Sequence, residues 1–166
     1  MVRNQDQKAR ITFDDHTAKL PAYLANLEAC VPATRSELAK RIPKDTAGVY
    51  AFYHDGKPLY VGRTRDLRRR LGEHGRVGST HYSASFAFLR ARRAAETAGY
   101  STQLAGLSRN DLAKHEVFGP LFVTEKTSVA SMTVRWVVVS DSVVQALLEV
   151  YAALALRTPF NSFETS

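Results

Sequence analysis

One two-residue turn constrains this chain more than any other feature. Asp55-Gly56 separates two short runs, 47–54 and 59–62, that are rich in apolar and aromatic residues. Glycine reaches positive φ without steric cost, and Asp-Gly between such runs marks a tight antiparallel hairpin. In the first run Val49, Ala51 and Tyr53 point one way, and Tyr50, Phe52 and His54 the other. Both sets are largely apolar, so this strand is expected to be covered on both faces. Residues 133–139, Thr-Val-Arg-Trp-Val-Val-Val, are β-branched and aromatic and predict a third strand.

Helical signals surround these strands. Leu20, Tyr23, Leu24 and Leu27 have helical spacing within 17–30, with Pro21 near the start. Thr34 or Ser36 caps a short helix that runs through Ile42 and stops at Pro43. Thr64 is expected to cap a helix over 65–74, with Asp66 in its first turn and Gly75 after its end. Leu67 and Leu71 form its core stripe, and Arg70 and His74 a neighbouring stripe at the edge of the core. A helix over 83–98 should turn Phe86, Leu89 and Ala94 inward and Arg90, Arg92 and Arg93 outward. Residues 101–107 read as a loop, 108–117 as a helix capped by Ser108, and 118–132 as containing another. Ser140-Asp141 caps a last helix over 142–156 that is apolar nearly all round, which predicts burial inside the protein.

Charge narrows the partner. The chain carries 23 Lys and Arg against 16 Asp and Glu, a net charge of +7. Between residues 61 and 93 there are nine arginines, no lysine and two acids, an excess equal to the net charge of the whole chain. Arginine's planar fork suits bidentate phosphate contacts, so nucleic acid is the expected partner. The single cysteine, Cys30, excludes a disulfide framework and a cysteine-based zinc site within one chain, and reads as a small core residue. No stretch approaches the roughly 20 apolar residues of a membrane span, and the first eight residues lack a signal-peptide core. A cytoplasmic location is expected. Residues 1–10 are polar and expected to fray.

Glu149 is the only charged residue of the last helix. A buried carboxylate is costly unless it is paired, hydrogen-bonded or metal-bound. Two readings stand on the helix alone: an ion pair to one of the arginines, or an anchor for one Mg²⁺, which needs few protein ligands. Arg70 and His74 read equally as a solvated basic face, Tyr50 and Tyr60 as packing, and Gly48 and Gly62 as strand ends.

The set together resembles the GIY-YIG nuclease superfamily. The triplets stand as Gly48-Val49-Tyr50 and Tyr60-Val61-Gly62, with their tyrosines ten residues apart. Arg70 falls at the family's spacing for its essential arginine, and His74 where members carry His or Tyr. Glu149 matches the metal-binding glutamate, and Asn161 the asparagine that closes the motif set. The resemblance covers 48–74 and about 133–161. It implies an α+β (α/β) fold, a small three-stranded antiparallel sheet flanked by helices. It also implies phosphodiester hydrolysis with a single divalent ion, Mg²⁺ or Mn²⁺, on Glu149. Arg70 would clamp the phosphate, and Tyr50 or Tyr60 would orient or deprotonate water with help from His74 or nearby arginines. Many members carry Lys where this chain has Arg63; arginine cannot shuttle a proton, so Arg63 should act only electrostatically.

The expected organisation is an N-terminal helical extension, 1–46, packed on a nuclease domain, 47–166, with a helical insert at about 76–130. The insert holds His81, Tyr82, Ser83 and the Arg90, Arg92 and Arg93 cluster, and serves either recognition or coverage of the sheet. The reading is a stand-alone, metal-dependent DNA endonuclease with a restriction or defence role. Its catalytic set is Tyr50, Tyr60, Arg70, His74, Glu149 and Asn161; Arg63, Arg65, Arg69, Arg90 and Arg93 bind nucleic acid. RNA is the less favoured substrate. One active site per chain cuts one strand, so duplex cutting needs a homodimer or repeated visits by a monomer. The alternatives are a non-catalytic nucleic-acid-binding protein with this fold, and a component of a larger complex.

Overall fold

The computed structural model describes residues 11–163; the fraying expected at 1–10 lies outside them. Its centre is an antiparallel sheet in the order β2-β1-β3, formed by β1 (Gly48–His54), β2 (Lys57–Thr64) and β3 (Thr133–Val138). Asp55 and Gly56 both take positive φ, 49° and 74°, in the hairpin turn between β1 and β2. β2 is longer at both ends than the 59–62 run. Pro58 is tolerated because β2 is an edge strand, and the ladder slips by one residue opposite it, between Phe52 and Tyr53.

Each face of β1 feeds its own core. Val49, Ala51 and Tyr53 pack with Val61, Val137 and Leu148, under α2 (Leu20–Ala29) and α9 (Ser142–Ala155). The short α1 (Phe13–Thr17) leads into that layer and touches α9. Tyr50 and Phe52 pack with Leu67, Leu71, Phe86 and Phe88 on the opposite face. That layer holds α4 (Leu67–His74), α5 (Ser85–Thr97) and α8 (Phe118–Ala130), joined by the short α6 (Ser101–Leu104) and α7 (Arg109–Lys114). The helices at 76–130 therefore cover the sheet. The N-terminal residues are woven into both cores: Leu20 and Leu27 into one, Ala33, Leu38 and Ile42 into the other.

Several local expectations change. α4 is capped by Asp66, whose carboxylate accepts from Arg69 N, while Thr64 Oγ1 accepts from Asp66 N one step earlier. α5 buries Phe86, Ala87, Phe88, Ala91 and Ala95, leaving Leu89 and Ala94 half-buried. Residues 101–104 form a helical turn rather than a loop. Cys30 caps α2 at the molecule's edge and belongs to neither core. α9 is not wholly buried: Val143, Val150 and Leu154 face outward, Leu154 at 64 % exposure. A helix lying on one face of a three-stranded sheet has cover on one side only, so its apolar outer side meets solvent.

α3 (Arg35–Arg41), which starts with a Thr34–Glu37 capping box, ties the extension to α4. Arg35 donates to the carbonyls of Gly72 (3.0 Å) and Gly75 (2.8 Å), at the carbonyl-rich end of α4. A cation at that end also opposes the helix dipole. Arg35→Ala is expected to lower unfolding stability by about 1 kcal/mol, measured as a fall in urea midpoint at unchanged slope.

Candidate active site

The site is built on the β1–β2 ladder. Tyr50 pairs directly with Gly62. A Cβ on Gly62 would lie 2.5 Å from Tyr50 Oη, so the missing side chain is what lets the phenol cross β2. Tyr50 Oη and His74 Nε2 are hydrogen-bonded at 2.8 Å, with both residues buried. Phe52 closes on the His74 ring from the side at 5.1 Å. Gly48 meets the other neighbouring strand: a Cβ there would lie 2.2 Å from the carbonyl oxygen of Val137.

Tyr60 stands on the same sheet face as Tyr50, stacked at 4.8 Å on Phe86 of α5. It is half-buried. Arg70, on α4, is fixed by the turn before α5. Its Nη1 donates to the carbonyls of Tyr82 (3.3 Å) and Ser83 (3.0 Å), and its Nη2 to Ser85 Oγ (3.0 Å). A guanidinium has five N–H donors, so these contacts orient the fork without exhausting it.

Glu149 comes from α9, on the opposite face of the sheet, and reaches the site past edge strand β2. Its Oε2 accepts from Arg63 Nε at 3.0 Å. The pairing expected from the sequence is therefore present, and the carboxylate is half-buried rather than enclosed.

Burial sets the protonation states. It raises the Tyr50 pKa, with the Tyr60 phenol adding to the shift and Arg70 opposing it. Burial also raises Tyr60, against a hydrogen bond from Ser85. The charge of Glu149 adds a smaller upward push at both phenols. Glu149 itself is raised by burial, with Arg63 pulling it back. His74 falls to about 3, first by burial and then by the charge of Arg70, so the imidazole is neutral. Its Nδ1 is buried without a hydrogen-bond partner among the described residues.

Asn161, from the segment after α9, is hydrogen-bonded to β2. Its Oδ1 accepts from Val61 N (2.8 Å) and Thr158 Oγ1 (2.8 Å), and its Nδ2 donates to Val61 O (2.8 Å). It clips the backbone beside Tyr60, a positioning role.

The arginines divide. Arg65 is exposed at the end of β2. Arg69 pairs with Glu73 at 2.8 Å and lies near Asp66. Arg90, expected outward, pairs with Glu125 at 2.5 Å and lies 5.6 Å over the Phe160 ring. It ties α5 to α8 because its aliphatic stem starts from the buried side of α5. Arg93 stands over Phe160 at 5.1 Å, and its neighbour Arg92 is exposed. Sequence reading missed Ser85, which lies between Arg70 and Tyr60, and the buried Lys126, which donates to the carbonyls of Val77 and Ser79. Neither stands in a pattern; only their neighbours give them a role.

Among the described residues no group of three His, Cys, Asp or Glu side chains could cage a metal. Glu149 offers one hard carboxylate at a half-open position. That donor set fits a cation such as Mg²⁺, which keeps several waters, and does not fit a structural zinc. Among the described residues no helix is long and apolar enough to cross a membrane.

A three-stranded antiparallel sheet flanked by helices makes this an α+β domain. The family model for the GIY-YIG catalytic domain matches residues 46–106, which include both triplets, Arg70, His74 and α5. Over that segment the chain is similar to the GIY-YIG catalytic domain, which supports a nuclease-type function and a nucleic-acid substrate. Glu149 and Asn161 lie beyond the matched residues. No curated protein and no solved structure matches the chain.

The neutral His74 has a consequence for stability. Its folded pKa, about 3, lies below the unfolded value of 6.5. Between these values the unfolded chain binds the extra proton, so stability falls as pH drops from 6.5 toward 3. The slope from this group approaches about 1.4 kcal/mol per pH unit. Urea unfolding from pH 7 to pH 4 is expected to show this loss, and His74→Gln to flatten it.

Proposed function

We propose that the protein is a metal-dependent endonuclease that hydrolyses phosphodiester bonds in DNA. The observation that carries this reading is the convergence at one edge of the sheet. Arg70 is held by three contacts with part of its fork left over, Tyr60 is half-open to solvent, and Glu149 lies within electrostatic reach of both tyrosines.

Roles follow from these positions. Arg70 binds the scissile phosphate and keeps its charge at any working pH. Glu149 would hold the divalent ion, Mg²⁺ or Mn²⁺. The ion, when bound, supplies charge for the phosphate and the leaving oxygen. Arg63, half-exposed beside Glu149, would meet the substrate backbone. Tyr60 orients the attacking water; with its pKa raised it stays protonated near neutral pH and does not act alone as a base. Tyr50, buried against His74, positions the wall behind Tyr60. DNA is favoured over RNA, and the role we propose is in restriction or defence.

The test is supercoiled plasmid incubated with Mg²⁺ or Mn²⁺. Nicking or linearisation is expected with metal and none in EDTA. Glu149→Ala and Arg70→Ala should each slow cutting by about 100-fold or more. Arg70→Lys should not rescue it, because lysine cannot reproduce a three-way fork. Metal-independent cutting, or unaltered cutting by Glu149→Ala, would overturn the mechanism.

A further inference from the structure

Tyr82 is the most exposed aromatic residue of the chain, at 72 %. Its position is not that of a stray surface side chain. It sits on the turn that orients Arg70, which donates to its carbonyl oxygen. Its ring lies 4.2 Å from the His81 ring and 5.9 Å from the Arg109 guanidinium. Arg109 in turn donates to the His81 carbonyl at 2.8 Å and lies flat on Phe88 at 4.3 Å.

The turn is therefore pinned from two directions. Arg70 holds it from α4, and Arg109 holds it from α7, just past the end of the family match. His81 is buried beneath, its Nε2 without a partner among the described residues. Tyr82 belongs to neither hydrophobic core. A ring beside a cation and next to a phosphate clamp is the arrangement on which unstacked nucleobases bind.

We propose that Tyr82 is a stacking platform for an unpaired nucleobase next to the phosphate held by Arg70, with Arg109 as the positioning residue that sets the platform. This rests on the nuclease reading for the location of the scissile phosphate. It adds a base-binding subsite to a site otherwise made of phosphate contacts, and it favours substrates with a base out of the stack. Arg109 and the remainder of α7 would then supply part of the substrate surface that the matched segment lacks.

The test measures binding and cutting separately. Binding of a short fluorescein-labelled single-stranded DNA oligonucleotide is followed by anisotropy in EDTA, across a salt series. Tyr82→Ala is expected to weaken binding about 5- to 150-fold, the range to which about 1–3 kcal/mol of stacking per base converts. Tyr82→Phe should stay within about twofold of the parent, because the ring face does the work. The salt slope should not change, since no phosphate contact is lost; Arg93→Ala, by contrast, should reduce it. Unchanged binding by Tyr82→Ala, an equal loss in Tyr82→Phe, or a reduced salt slope would each overturn the platform.

The parent protein separates this from the broader reading. A parent that cuts plasmid but is indifferent to Tyr82→Ala overturns the platform alone. A parent that binds through Tyr82 but cuts nothing with either metal overturns the nuclease reading alone. A parent that does not bind the oligonucleotide overturns the platform, while the plasmid assay still decides the other.

Discussion

The Tyr50–His74 hydrogen bond is the contact on which the rest of the site depends. It is made through the gap left by Gly62, and so it couples three things: the ladder register, the absence of a side chain on β2, and the seating of α4. A slip of one residue in that register would turn Tyr50 to the opposite face and leave His74 buried with no phenol to meet. Because the bond lies under the layer of α4 and α5, it also fixes where Arg70 emerges. The two triplets are thus one packing unit, in which the glycine of one makes room for the tyrosine of the other.

From that unit the site extends outward in order of increasing exposure. Tyr50 and His74 are closed off, Arg70 is clamped by carbonyls at the rim, Tyr60 is half-open, and Tyr82 stands in solvent. Electrostatics follows the same gradient. Burial keeps the imidazole neutral and the phenols protonated, so the charges left at the rim are arginines and the carboxylates of Glu149 and Glu73. The Arg63–Glu149 pair reaches across the strand edge from the opposite layer, which makes the site a joint product of both cores. Asn161 supports the same edge by holding the backbone of Val61.

Much of the fold was legible because local rules decide it. The Asp55-Gly56 turn, the alternating faces of β1, the Thr34 and Asp141 caps and the β-branched run of β3 each follow from a few neighbouring residues. The misreadings share a physical cause. Thr64 and Asp66 are both capping residues, and the choice between them depends on where β2 ends. Arg90 looked outward by helical spacing, but Glu125 waits on a helix 35 residues away. α9 looked buried from its apolar circumference, yet only one side of it has a sheet to cover.

The sequence by itself determined the sheet, the helices, the concentration of arginine and the spaced tyrosines, because periodicity, turn chemistry and motif spacing are written in the order of residues. Tertiary structure alone decided which of these meet. It paired Glu149 with Arg63 over a separation of 86 residues, used Asn161 as a backbone clip 100 residues from its partner, and set Tyr82 beside Arg70. Those contacts depend on how two layers close on one strand edge, and no local pattern carries that information.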